Sequence, residues 1–238
     1  MQIIIVRHGD PNYAIDSLTK RGKTEAKLLS DKLVKMDIKA FYCSPMGRAK
    51  KTAHYTLKRL NRKAEVLPWL HEFKGKIVLE GKDEPHCWDL MPSYWTQNPR
   101  FYTEDWLKTD VMQSDNVESE YKAVCDGLDK LLEKHGYKHE GRVFKVLDSN
   151  HDKIVLFCHF GVEAVMLGYL LGISPIIMLH NFVALPTSVT VLTTEEREKG
   201  TAIFRLSSFG DTGHLYAGKQ EPSFMARFCE CFDDDTRH

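Results

Sequence analysis

Residues 3–9 read Ile-Ile-Ile-Val-Arg-His-Gly. Four β-branched residues in a row leave no polar position to turn toward solvent, so Ile3 to Val6 suit a strand buried on both faces. Strands of that kind belong to parallel sheets covered by helices. Arg7, His8 and Gly9 follow at the carboxyl end, the edge of an open α/β sheet where ligands bind. An imidazole beside a guanidinium at that edge suggests a nucleophile next to an anion clamp.

The stretch behind this strand repeats the alternation that a parallel sheet needs. Asp10-Pro11-Asn12-Tyr13 is a turn-forming cluster. Thr19 is expected to cap a helix whose Ala26, Leu29, Leu33 and Met36 share one face. Ala40 to Cys43 reads as a second buried strand. Ser44-Pro45 then suits a helix start, with Ser as cap and Pro in the first turn, and the helix is expected to run from Met46 to about Leu60. Ala64 to Leu67 reads as a third strand. Strand, helix, strand, helix, strand indicates crossover connections and an α/β fold.

Residues 73–116 interrupt that rhythm. They hold Trp88, Trp95 and Trp106 together with Tyr94, Phe101 and Tyr102. So many aromatics argue against disorder, and a long irregular segment in a compact domain is usually a lid or binding loop. The expectation is an inserted cap over the site, with packing of the rings onto the body as the plainer alternative. A helix from about Val117 to His135 follows, then a second uninterrupted strand, Lys153 to Cys158, running into His159-Phe160-Gly161 and a helix to Leu171. Ser188 to Thr193 and Ala202 to Ser207 suit two antiparallel strands joined by the charged residues 195–200. The closing Asp233-Asp234-Asp235 is expected to be solvated and frayed.

Length and composition exclude several classes. At 238 residues the chain suits one domain with a sizeable insertion. Its 33 basic and 33 acidic residues balance, so no global field recruits nucleic acid or an anionic membrane. No secretory signal is visible. The apolar stretch 161–179 contains Glu163 and is broken at Gly172-Ile173-Ser174-Pro175, so it reads as a buried helix, a turn and a second short segment rather than a membrane span. The six cysteines lack zinc-finger spacing, and Cys43 and Cys158 fall in buried strands, which points to a reducing, cytoplasmic setting. An oligomer stays open, because the apolar tail from Phe224 to Phe232 suits docking in cis or bridging two copies.

Two buried strands thus end in the same chemistry, His8 after one and His159 after the other. If they are neighbours, both imidazoles meet at one sheet edge. Arg7 joins them, and Arg48, just inside the basic helix, is expected to reach the same rim. Two imidazoles, two guanidinium groups and a helix N-terminus suit a tetrahedral anion such as phosphate. An imidazole can also attack phosphorus. Alone, each turn is commonplace; their coincidence is informative.

These blocks resemble the histidine phosphatase superfamily, the phosphoglycerate mutase-like family. Arg7-His8-Gly9 matches its nucleophile motif, and Leu18-Thr19 with Gly22 and Ala26 resembles the segment after it. Ser44-Pro45-Met46-Gly47-Arg48-Ala49-Lys50-Lys51-Thr52-Ala53 follows its S-P-x-x-R-A-x-x-T-A run. Leu70-His71-Glu72 resembles its proton-donor segment, and Cys158-His159-Phe160-Gly161 its second histidine block. The resemblance implies a three-layer α/β/α domain with a mostly parallel sheet. It also implies a phosphatase acting through a phosphohistidine on His8, with no metal or cofactor. Arg7, Arg48 and His159 are then expected to hold the phosphoryl oxygens, with Gly9 and Phe160 also touching substrate, and Glu72 to move the proton. A small phosphate ester would be the substrate and phosphate the product.

The chain departs from the family pattern at Asp10-Pro11, at Phe160, and at Glu72-Phe73-Lys74-Gly75-Lys76, where dedicated mutases carry E-R-x-Y-G. The last departure argues against a mutase, which remains the alternative activity. A non-catalytic phospho-ligand binder is the third reading, prompted by Phe160. Asp10 is the substitute for Glu72 as donor. Lys50 and Lys51 suit a solvated helix face, and His71 a substrate contact or the surface.

Overall fold

The computed structural model describes residues 1–225 and 227–234. Its strands are β1 (Gln2–Arg7), β2 (Pro11–Asn12), β3 (Ser17–Leu18), β4 (Ala40–Cys43), β5 (Glu65–Val66), β6 (Tyr137–Glu140), β7 (Val143–Val146), β8 (Lys153–Cys158), β9 (Val189–Glu198) and β10 (Thr201–Asp211). Its helices are α1 (Lys20–Leu33), α2 (Gly47–Leu60), α3 (Pro92–Trp95), α4 (Val117–Lys134), α5 (Phe160–Leu171), α6 (Pro175–Asn181) and α7 (Gly213–Ala217). The central sheet has eight strands in the order β5-β4-β8-β1-β9-β10-β7-β6. From β5 to β1 the pairing is parallel; from β1 to β6 it is antiparallel. This is a helix-flanked, mixed α/β sheet.

The alternation of β1 divides the core. Ile4 and Val6 face α1 and α2 beside Leu29, Leu33 and Ala53, while Ile3 and Ile5 face α4 and α5 beside Leu128 and Val162. Both faces of the strand are dry, as its unbroken apolar run requires. The helices that follow β1 and β4 cover one face; the helix that follows β8 covers the other. Since β1 and β8 are neighbours, their carboxyl ends border the crevice left where the chain changes sides.

Several local expectations hold, and others are corrected. Thr19 caps α1 by accepting from Gly22 N at 3.0 Å. The Asp10–Tyr13 turn region instead forms a small ribbon, β2 against β3. Ser44 does not cap α2. That helix begins at Gly47, and the carboxylate of Asp16 accepts from Gly47 N at 2.5 Å. An exposed helix start needs an acceptor for its free N–H groups, and Ser44 is spent elsewhere. The expected turn at 195–200 shrinks to Lys199-Gly200, because β9 and β10 run on through the charged residues. Gly200 supplies the positive φ of 85° that the turn needs. The hairpin β6–β7 has no counterpart in the sequence reading.

The 73–116 segment is built of short turns and α3. Trp95, Phe101 and Trp106 are buried in the core on the α4–α6 side. Trp95 lies 4.9 Å from the His180 ring and Trp106 5.2 Å from Tyr121. These rings seal the segment to the body. Among the described residues no helix is long and apolar enough to cross a membrane. Asp233 and Asp234 are exposed, and Cys231 bridges to Asp234; Asp235 lies outside the described residues.

Candidate active site

Register explains why the two histidines meet. Arg7 and Cys158 are direct partners in the parallel ladder, and His8 N donates to the Cys158 carbonyl at 3.0 Å. The next residue on each strand is a histidine, so the imidazoles emerge side by side, ring centroids 5.1 Å apart. Both are buried.

Each imidazole is held by one nitrogen. The Nδ1 of His8 lies 2.8 Å from the Gly9 carbonyl oxygen. A carbonyl only accepts, so Nδ1 carries the proton and Nε2 keeps its lone pair. Nε2 of His159 lies 2.7 Å from the Ser44 hydroxyl, whose oxygen also accepts from Met46 N. With Ser44 donating to Nε2, the His159 proton sits on Nδ1, which has no other partner among the described residues and is free to donate to an oxyanion. Burial, then the Arg7 guanidinium and His159, keep His8 well below its ordinary range. Burial, Arg48 and Arg7 push His159 down to about 2. Both rings therefore stay neutral, the form in which an imidazole is a nucleophile.

The guanidinium groups complete the cradle. Arg7 is 3 % exposed and donates to the Ala184 carbonyl at 2.6 Å. Arg48 is 6 % exposed and donates to Asp16 Oδ1 at 2.8 Å. Asp16 so ties the helix start and the Arg48 fork together. Burial raises its carboxyl, but the bonds from Gly47 and Arg48 outweigh that and leave it below the usual value. Gly9 N donates to Thr52 Oγ1 at 2.9 Å. With its carbonyl on His8 as well, Gly9 has both backbone groups engaged and braces the His8 ring.

Glu72 enters from the other side. Its Oε1 accepts from Phe73 N at 2.9 Å and Val162 N at 3.3 Å. A Cβ at position 161 would lie 2.6 Å from that oxygen, so only glycine admits the carboxylate beside the α5 start. Burial raises the Glu72 carboxyl, opposed by Arg7. Asp10, the substitute donor, is differently placed. Its Oδ2 accepts from Thr19 Oγ1 at 2.6 Å and its Oδ1 from Ser223 Oγ at 2.5 Å, so both oxygens are engaged.

A cavity of about 680 Å³ adjoins the cradle at Arg7 and Glu72; Asp10, Phe160 and Gly161 line it too, while His8, Arg48 and His159 lie behind its lining. Of the aromatic segment only Trp88 borders it; the tail adds Ser223 to Met225, Arg227 and Phe228 to the lining. His71 faces Glu120 at 3.7 Å and, like Lys50 and Lys51, stays off the cavity wall. Sequence reasoning missed Asp16, Ser44 as a histidine partner, Thr52, Ser223 and Glu163. Glu163 lies buried behind Arg7, its carboxyl raised by burial to about 7 against the pull of Thr190 and Arg7. Only the Glu163 charge inside an apolar run was a visible signal. Among the described residues no cluster of three or more metal-ligating side chains occurs.

A family model described as histidine phosphatase superfamily (branch 1) matches residues 3–205. Solved structures share the fold at low identity. An Entamoeba histolytica phosphoserine phosphatase is 19% identical, TM-score 0.61, over 90% of this chain and 98% of its own. A Shigella flexneri alpha-ribazole phosphatase is 19% identical, TM-score 0.56, over 89% and 96%. A mycobacterial glucosyl-3-phosphoglycerate phosphatase is 17% identical, TM-score 0.58, over 89% and 99%. A search of curated proteins gave no sequence match.

Proposed function

We propose that this chain, which belongs to the histidine phosphatase superfamily (branch 1), hydrolyses small phosphate monoesters through a phosphohistidine on His8. One observation carries the reading: His8 is neutral, its Nδ1 is committed to Gly9, and its Nε2 stands free beside Arg7, Arg48 and His159. The phosphoryl group sits between the guanidinium forks and the His159 Nδ1–H. Those donors stabilise the charge that gathers on the equatorial oxygens. Nε2 attacks phosphorus as the ester bond breaks. Glu72, protonated at the start, gives its proton to the departing alcohol oxygen. The resulting carboxylate takes a proton from water, which attacks the phosphohistidine and releases phosphate and free His8. Guanidinium charge does the electrostatic work, so the reaction is proposed to run without a metal.

Glu72 is preferred to Asp10 as donor because its raised carboxyl keeps a proton to transfer, whereas both Asp10 oxygens are engaged as acceptors. The similar structures are named for phosphatases of chemically unlike alcohols, which supports a phosphate ester and favours no one alcohol. Six free cysteines support a reducing, cytoplasmic setting. The test is a rapid-quench experiment with an aryl phosphate. An acid-labile, alkali-stable phosphoryl label on the wild type, absent from His8→Ala, is expected, with turnover unaffected by a chelator. Turnover without such a label, or isomerisation of 3-phosphoglycerate outpacing phosphate release, overturns the reading.

A further inference from the structure

The floor of the site accounts for one phosphoryl group, but the cavity holds more cationic capacity than that. Among the described residues three arginines line it: Arg7, Arg21 and Arg227. Arg7 belongs to the phosphoryl cradle. Arg21 is occupied, its Nε on Glu25 at 3.2 Å and an Nη on the Glu221 carbonyl at 2.5 Å. Arg227 is less committed. Among the described residues its buried Nε has no hydrogen-bonding partner, and its Nη1 makes a long ion pair with Glu230 at 3.9 Å. A buried donor left unpaired is unusual enough to need an explanation.

Arg227 is aimed by its own segment. Ser223 Oγ anchors the tail to Asp10 on the cavity wall, and the same oxygen accepts from Met225 N at 3.3 Å. Arg227 N closes a turn onto the Phe224 carbonyl at 3.3 Å. The guanidinium lies over the Phe224 ring, 4.1 Å from its centre. The Met225 carbonyl lies 3.4 Å from Arg7 Nη1, which puts this turn directly over the cradle. Stacking holds the guanidinium plane by its face and leaves its edge donors for an acceptor. The cavity lining includes a large apolar share, Trp88, Phe160, Leu179, Phe182 and Phe228, beside the acidic Asp10 and Glu72.

We propose that Arg227 is a specificity-determining residue that pairs with a second anionic group, a carboxylate or a second phosphate, on the alcohol part of the substrate. The favoured substrates are then phosphate monoesters of apolar or aromatic alcohols that carry such a group away from the ester. This rests on the phosphatase reading for the role of the cradle, though not for the presence of the anion site. Apolar walls suit the ring or chain, and the weakened competition from water inside the cavity strengthens the ion pair at its end.

The test compares three esters on the full chain: 2-naphthyl phosphate, the same ester with a remote ring carboxylate, and the same ester with a remote second phosphate. Wild-type enzyme is expected to prefer at least one charged ester by about tenfold in kcat/KM, mainly through KM, and the better of the two identifies the anion. Arg227→Gln should bring the ratio within about twofold of parity and Arg227→Lys should keep part of it, because a point charge replaces the fork. A distant exposed control, Arg197→Gln, should keep the whole ratio. No preference in the wild type overturns the proposal. So does Arg227→Gln lowering all three esters equally, the pattern of a residue that merely staples the tail. Calorimetric binding of 2-naphthoate separates this from the phosphatase reading. If no ester is hydrolysed yet Arg227→Gln weakens naphthoate binding about tenfold, the phosphatase reading fails and the anion site stands. Equal naphthoate affinity in both proteins, or binding to neither, overturns the site.

Discussion

The site has a floor and a rim, and they are made differently. The floor is the carboxyl ends of β1 and β8 and the start of α2. Its Arg7, His8, Arg48 and His159 are all buried, each placed by a ladder register or a helix terminus. The rim is irregular chain over 221–225 and 227–228, held by a few side-chain bonds, with Phe228 67% exposed. Chemistry that requires positions accurate to fractions of an ångström sits on the part that cannot move. Selection among alcohols sits on the part that tolerates change.

That contrast can be broken by substitution, starting on the floor. His8→Ala should remove turnover by on the order of 10⁴-fold or more, since no other group there replaces the nucleophile; steady-state assay with an aryl phosphate reads it. Glu72→Gln should cost about 10²- to 10⁴-fold in kcat for alkyl esters. The loss should be smaller for a nitrophenyl ester, whose nitrophenolate leaves without a proton. The same variant sharpens the pH profile. A raised Glu72 stays protonated above the ordinary glutamate range, so activity should fall as pH rises through its value, and Glu72→Gln should flatten that limb.

Asp16→Asn probes what positions the floor. It removes the charged partner of Arg48 and should weaken orthophosphate binding about tenfold to a hundredfold, measured by competitive inhibition. On the rim, Ser223→Ala should act mainly on access. Limited proteolysis within 221–234 should quicken severalfold while the melting temperature moves little, because the tail contributes little to the core. Equal protection in the variant would mean the tail is held by something other than this contact.

Acid should also separate the two regions. His8 and His159 titrate lower in the folded chain than the ordinary value near 6.5. Below about pH 6.5 the unfolded chain binds protons that the folded one refuses, so stability falls with pH at up to about 1.4 kcal/mol per unit for each ring. Thermal melts from pH 8 to 5 should show that slope, and His159→Gln should reduce it. The rim lacks such buried rings and should contribute nothing to it.

Much of the floor was legible because its signals are local. An unbroken run of β-branched residues, a glycine after a histidine and a basic helix behind a proline can each be seen in a few residues. Ser44 was misread because an oxygen before a helix normally caps it, and only the neighbouring strand shows that His159 claims it first. Asp16 was missed for the converse reason: it serves as the acceptor for a helix that begins 31 positions later. The aromatic segment was read as a cover because rings and prolines mark both lids and packed loops, and composition does not say which way a ring turns. The β6–β7 hairpin escaped because its strands are short and largely exposed.

Alone, the order of residues determined that two buried strands each deliver a histidine to a sheet edge, and that a basic helix starts between them. Those are consequences of side-chain shape and polarity over a few bonds, which the chain carries wherever it goes. That β8 lies against β1 with Arg7 opposite Cys158, and that a tail more than 200 positions from His8 comes back to bring Arg227 over the cavity, was decided only by the packed whole. Contacts between remote residues depend on which apolar faces are buried together, and no short stretch of sequence contains that choice.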